Sequence, residues 1–127
     1  MSSKARVMFL SLAIVIGGVS IVSAQSTPPN LPKPIVTFIE LGSVNCIPCK
    51  AMQPIMDEVR VKYPDQVKVV FHDVWTTKGR PYSQFFKIKV IPTQVFLDRN
   101  GKEYFRHEGF LPAEELYKVL AKGGVKL

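Results

Sequence analysis

A chain of 127 residues has room for one domain with a modest core, and its two cysteines provide no framework of stapling disulfides. The formal charge is +7, from 17 basic and 10 acidic residues. The basic residues (Lys62, Lys68, Lys78, Arg80, Lys87, Lys89, Lys102, Arg106) form no run and no pattern interleaved with aromatics, so they read as a solvated surface and argue against nucleic-acid binding.

Lys4 and Arg6 precede an apolar run over residues 7–22, followed by Ser23-Ala24-Gln25. This is the layout of a secretory signal, so residues 1–24 are expected to be a signal peptide cleaved after Ala24. The competing reading is an N-terminal anchor in which residues 7–22 tether the chain to the membrane, although the run is shorter than the ~20 residues that span comfortably. Either way the positive end stays inside and the remainder is exported. That predicts a periplasmic or other extracytoplasmic location. Residues 25–33 hold Pro28, Pro29 and Pro32 and read as an extended linker. The folded domain is expected over 34–122, with 123–127 as a C-terminal tail.

Ile35 to Leu41 is almost wholly apolar, as a central strand covered on both faces should be. Glu40 interrupts it and must be part-exposed, paired or protonated there. After a turn, a helix is predicted from Cys46 to Lys62, with Met52, Ile55, Met56 and Val59 on one face and Pro54 kinking it. A second strand is predicted over Val67–Val74, a loop over Trp75–Arg80 and a short helix over Pro81–Phe86 with proline in its first turn. A strand over Gln94–Asp98 and its return over Glu103–His107 flank an Asn100-Gly101 hairpin turn, and Gly109 ends the return. Pro112–Lys122 is a final amphipathic helix. The order implies an α/β fold: a βαβ unit and a ββα unit sharing one mixed central sheet, with helices on both faces.

The chemistry centres on Cys46-Ile47-Pro48-Cys49-Lys50, at the point where a strand hands over to a helix N-terminus. Unpaired backbone N–H groups and the helix dipole favour an anion there, and thiolate is the reactive form of cysteine. A redox pair, a zinc half-site and a purely structural disulfide all use this spacing. The remaining soft ligands, His72 and His107, lie at no zinc-type spacing, and so small a closed loop would stabilise little.

With its surroundings, the stretch resembles the thioredoxin family. Cys46 to Glu58 is similar to the family's active-site helix, including proline between the cysteines, lysine after them and the kink proline five residues on. Ile91-Pro92-Thr93 resembles the cis-proline loop, Gly109 the glycine after the last strand, and Glu40 takes the place of a buried aspartate. Asn45 stands where thioredoxin has tryptophan, and Ile47 where it has glycine. The resemblance implies a single thioredoxin-like fold and a thiol–disulfide oxidoreductase without a cofactor; no Gly-rich fingerprint for a nicotinamide or flavin is seen. Cys46 would be the partly exposed nucleophile, Cys49 the buried resolving thiol and Glu40 its proton acceptor. Ile91, Pro92 and Thr93 would bind an extended substrate strand.

Ile47 and Pro48 carry neither charge nor donor, which favours a potential nearer ~−270 mV than ~−120 mV and hence a protein-disulfide reductase. The export signal and the Val74-Trp75 after Asp73 resemble exported thioredoxin-like proteins associated with DsbD- or CcdA-type membrane electron carriers. The expected partners are disulfide-bonded exported proteins, apocytochromes c among them, and a membrane thiol donor of that type. A dithiol oxidase or isomerase, and a non-enzymatic binding module on the same fold, are the competing readings.

Overall fold

The computed structural model describes residues 32–127; the expectations for residues 1–31, signal or anchor and most of the linker, lie outside them. The elements are β1 (Val36–Gly42), α1 (Ile47–Lys62), β2 (Val67–Asp73), α2 (Arg80–Phe85), β3 (Thr93–Leu97), β4 (Glu103–Glu108) and α3 (Ala113–Lys122). Their order and type are those predicted, with ends moved by a residue or two.

The four strands form one mixed sheet in the order β2-β1-β3-β4. β1 lies between β2, its parallel neighbour across the α1 crossover, and β3, which is antiparallel. This central place explains the apolar run of β1: neither of its faces reaches solvent. Alternation sorts the side chains into two cores. Val36 and Phe38 pack with Met52, Met56 and Val59 of α1 and Leu116, Val119 and Leu120 of α3. Ile39 and Leu41 pack on the opposite face with Val74, Val95, Phe86 and Ile88, the last two lying just beyond α2. In the first core Phe38 stacks on Phe96, ring centroids 4.8 Å apart, as their pairing across β1 and β3 requires.

α1 runs unbroken through Pro54, whose ring is on the exposed side. The hairpin closes as the Asn-Gly signal predicts, Asp98 N–H donating to the Lys102 carbonyl and Gly101 N–H to that of Asp98. The segment read as a tail is packed in this structure: Val125 is buried, its N–H donates to the Leu120 carbonyl, and Gln66 exchanges two hydrogen bonds with the Lys126 backbone. The apolar Val125 two residues beyond Gly123 is the signal that places it there.

Candidate active site

β1 ends at Gly42, and Ser43 to Asn45 turn the chain into α1. Cys46 is the N-cap of that helix and makes no side-chain cap bond. Pro48, in the first turn, has no N–H to satisfy, while the N–H groups of Ile47 and Cys49 have no acceptor within the helix. Cys46 and Cys49 form a disulfide with their Cα atoms 5.2 Å apart. Cys49 is fully buried; Cys46 is 8% exposed, less than the partial exposure expected of it. Its sulfur is bonded to that of the fully buried Cys49, while Ile47 stands 82% exposed beside it. Lys50 is exposed, as a solvated charge should be.

Close approach explains Gly42. A Cβ there would lie 3.1 Å from Cys49 Sγ and 3.2 Å from its Cβ, tighter than ordinary packing allows. Glu40, two residues earlier on the same side of β1, is 0% exposed, and neither of its carboxyl oxygens has a hydrogen-bond partner among the described residues. Of the three states open to it, part-exposed, paired or protonated, the geometry selects the last. Burial pushes its pKa from 4.5 up to about 8, with the neighbouring Gln94 amide acting in the opposite direction. At neutral pH the acid is therefore the favoured form.

The Ile91–Pro92 peptide bond is cis. The loop enters β3 at Thr93, which pairs with Leu41 immediately before Gly42, so this loop and the cysteine turn share one end of the sheet. Pro92 and Thr93 are buried and Ile91 partly so. The Thr93 hydroxyl donates to the Val90 carbonyl at 2.7 Å, which commits it to the loop. Trp75, 58% exposed, lines a cleft of about 290 Å³ with Ile88, Lys89, Val90 and Ile91, a place on the surface rather than in the core.

The sequence reading passes over two residues that shape the site. Asp73 accepts from the N–H of Val44 at 3.2 Å and from that of Trp75 at 3.0 Å, tying the cysteine turn to the Trp75 loop. Its position at the end of a strand, before a polar loop, is the signal for such a cap. Gln94 faces Glu40 directly across β1 and β3 and is also fully buried. His72 stacks on Tyr82, ring centroids 3.6 Å apart, with burial holding its pKa below the usual value. His107 Nε2 lies 3.2 Å from the Phe110 carbonyl oxygen. Both are engaged in packing the fold.

Residues 24–124 match the family model of the thioredoxin-like domain. The chain belongs to the thioredoxin-like family. Among curated relatives, rice thioredoxin Y, a chloroplastic protein, is 36% identical over 88 residues, covering 69% of this chain and 49% of that one. The chloroplastic thioredoxin-like protein HCF164 of rice is 31% identical over 102 residues, 77% of this chain and 39% of that one. The first of these relatives, like its Arabidopsis counterparts, is matched over only about half its length. The crystal structure of chloroplastic thioredoxin z superposes with a TM-score of 0.64 at 26% identity, covering 72% of this chain and 80% of that one. The thioredoxin-like fold and its mixed four-stranded sheet are thereby shared with solved members of the family.

Proposed function

We propose that this domain is a thiol–disulfide oxidoreductase that reduces disulfides of exported proteins. One observation carries the reading: a Cys46–Cys49 disulfide at a helix N-terminus, with an unpaired buried carboxyl, Glu40, on the strand beneath it. Relatives named as thioredoxins support it.

In the reduced enzyme the Cys46 thiolate attacks one sulfur of a client disulfide. A mixed disulfide forms and the client's second sulfur leaves as thiolate. Cys49 passes its proton to ionised Glu40 and attacks Cys46 Sγ. That closes Cys46–Cys49 and releases the client's first sulfur, so the client gains the two electrons that the enzyme loses. Burial lifts the Glu40 carboxyl to about 8, which makes it a better acceptor for a thiol proton than an ordinary carboxylate. Ile91 and Pro92 offer their loop to the client as an extended strand, beside Trp75.

The remaining assignments follow from the sequence. The signal-like residues 1–24 support an extracytoplasmic, periplasmic location, with residues 7–22 as tether if retained. An oxidising compartment then demands electrons through the membrane, from a thiol carrier of the DsbD or CcdA type. Exported cysteine pairs, including those of apocytochromes c, are the proposed clients.

The deciding experiment is the equilibrium reduction potential of Cys46–Cys49, coupled to trapping. A potential near ~−270 mV, a client-bound mixed disulfide accumulating in Cys49→Ser and no turnover in Cys46→Ser are expected. A potential above about −150 mV would overturn the reductase direction in favour of an oxidase or isomerase. Unchanged client binding with no turnover in the wild type would leave only a binding module.

A further inference from the structure

The face of the sheet that carries Phe38 and Phe96 is apolar except along one rung, where Glu40 of β1, Gln94 of β3 and His107 of β4 follow one another across the strands. Glu40 on β1 and Gln94 on β3 are register partners, so their side chains stand side by side on that face. Both are 0% exposed. The aromatic pair Phe38–Phe96 is the next rung on the same face, and Phe71 of β2 flanks Glu40 on its other side. From α1, Cys49 covers the neighbouring Gly42. Among the described residues Glu40 is the one charged residue type in the buried set; the titratable groups around it are Cys49 of α1, against Gly42, and His107 of β4, on the far side of Gln94.

Gln94 is not idle there. Its Nε2 donates to the Gly109 carbonyl at 3.0 Å, which fixes which end of the amide is nitrogen. Gly109, held at φ +91°, sends its own N–H to the Pro92 carbonyl at 2.7 Å. One residue therefore joins the Gln94 amide to the loop proposed to receive the client. Gln94 Oε1 and both Glu40 oxygens have no partner among the described residues. An amide can serve a carboxyl in either state: its second N–H suits a carboxylate, and its oxygen suits the O–H of the acid. An unpartnered carboxylate in so apolar a setting would be strongly disfavoured.

We propose that Gln94 is a positioning residue for Glu40: its amide is the polar partner Glu40 uses when it takes up and gives back the Cys49 proton, and its bond to Gly109 holds that amide in register with the Pro92 loop. The catalytic part of this rests on the proton-acceptor role proposed for Glu40; the pairing of Glu40 with Gln94 does not. Two consequences follow. Gln94 keeps the carboxylate form accessible, so proton exchange with Cys49 occurs near neutrality. The Gly109 carbonyl takes one N–H of the Gln94 amide and leaves the second for Glu40, so one amide serves both the carboxyl and the residue that anchors the Pro92 loop.

The test uses Gln94→Leu, a buried side chain of similar volume without polar atoms, and Gln94→Met as a second variant should the first fold poorly. In the oxidised full-length protein, where the thiols do not titrate, the Glu40 carboxyl is followed by carbon-13 NMR. Loss of the amide should move the Glu40 midpoint upward by about one pH unit, tenfold in proton affinity. Resolution of a preformed mixed disulfide should move to higher pH by the same amount. In a Glu40→Gln background, substituting Gln94 should bring no further shift in that pH profile, an outcome a merely structural role would not produce. An unmoved Glu40 midpoint in either variant overturns the pairing. A moved midpoint with an unmoved resolution profile would instead place the failure in the proton-acceptor role of Glu40 and overturn the catalytic part.

Discussion

Replacing Glu40 with Gln offers a direct measure of what the buried carboxyl does to the fold. Between pH 4.5 and about 8 the folded chain holds a proton that the unfolded chain has already released. Folding takes up that proton, so stability falls as pH rises through this window and levels off above about 8. At about 1.36 kcal/mol per pH unit the interval corresponds to about 5 kcal/mol, a ceiling that water admitted around the carboxylate would lower. Small domains are stable by about 5–15 kcal/mol, so the effect is large enough to see. Urea denaturation of the oxidised protein from about pH 5 to about pH 9 is the assay, since the disulfide removes thiol titration. Wild type should lose up to about 1.4 kcal/mol per pH unit relative to Glu40→Gln, and the two curves should run parallel above about 8. Parallel curves across the whole range would refute the reasoning, because they would mean that Glu40 titrates alike in the folded and unfolded chains.

Other perturbations probe the supports of the site. Gly42→Ala pushes a methyl group against Cys49, which should cost about 1–3 kcal/mol in urea denaturation and slow alkylation of the reduced Cys49 thiol. Asp73→Ala frees the Val44 and Trp75 N–H groups at the surface, where water replaces the lost acceptor; stability should fall by about 1 kcal/mol, while the rate of client reduction falls further as the two loops part. Phe96→Ala removes the partner of Phe38 from the centre of the α1 core and should cost about 3–5 kcal/mol, measured by the same denaturation. Lys118→Ala breaks two exposed ion pairs on α3, to Glu114 and Glu115, and should leave the denaturation midpoint where it was.

The fold was largely legible because its strong signals are local. The apolar run of β1, the 3.6-residue spacing of Met52, Met56 and Val59 and the Asn100-Gly101 turn each name an element without help from the rest of the chain. What local pattern misses is decided by packing. The end of the chain looks like a tail until Val125 is seen against the α1 and α3 core, and Cys46 looks exposed until its bond to the fully buried Cys49 is seen. Exact strand ends moved because a ladder bond, not composition, decides whether Gly42 or Thr93 still belongs to the sheet.

The site shows the same division between local and paired information. Cys46, Cys49 and Glu40 announce themselves by residue type: two thiols at one spacing, and a carboxylate in an apolar strand. Gln94 does not, because a glutamine at a strand start is ordinary and only the register of β3 against β1 brings it to Glu40. Yet the sequence holds the clue in pieces. Once Phe38 and Phe96 are paired as large apolar residues of two adjacent antiparallel strands, counting two along each strand leads to Glu40 and Gln94. A one-residue slip would turn Gln94 to the other face and leave Glu40 opposite Val95 or Thr93. The register that fills the core is therefore the one that gives the buried carboxyl an amide neighbour, so packing and proton chemistry are set by the same strand pairing.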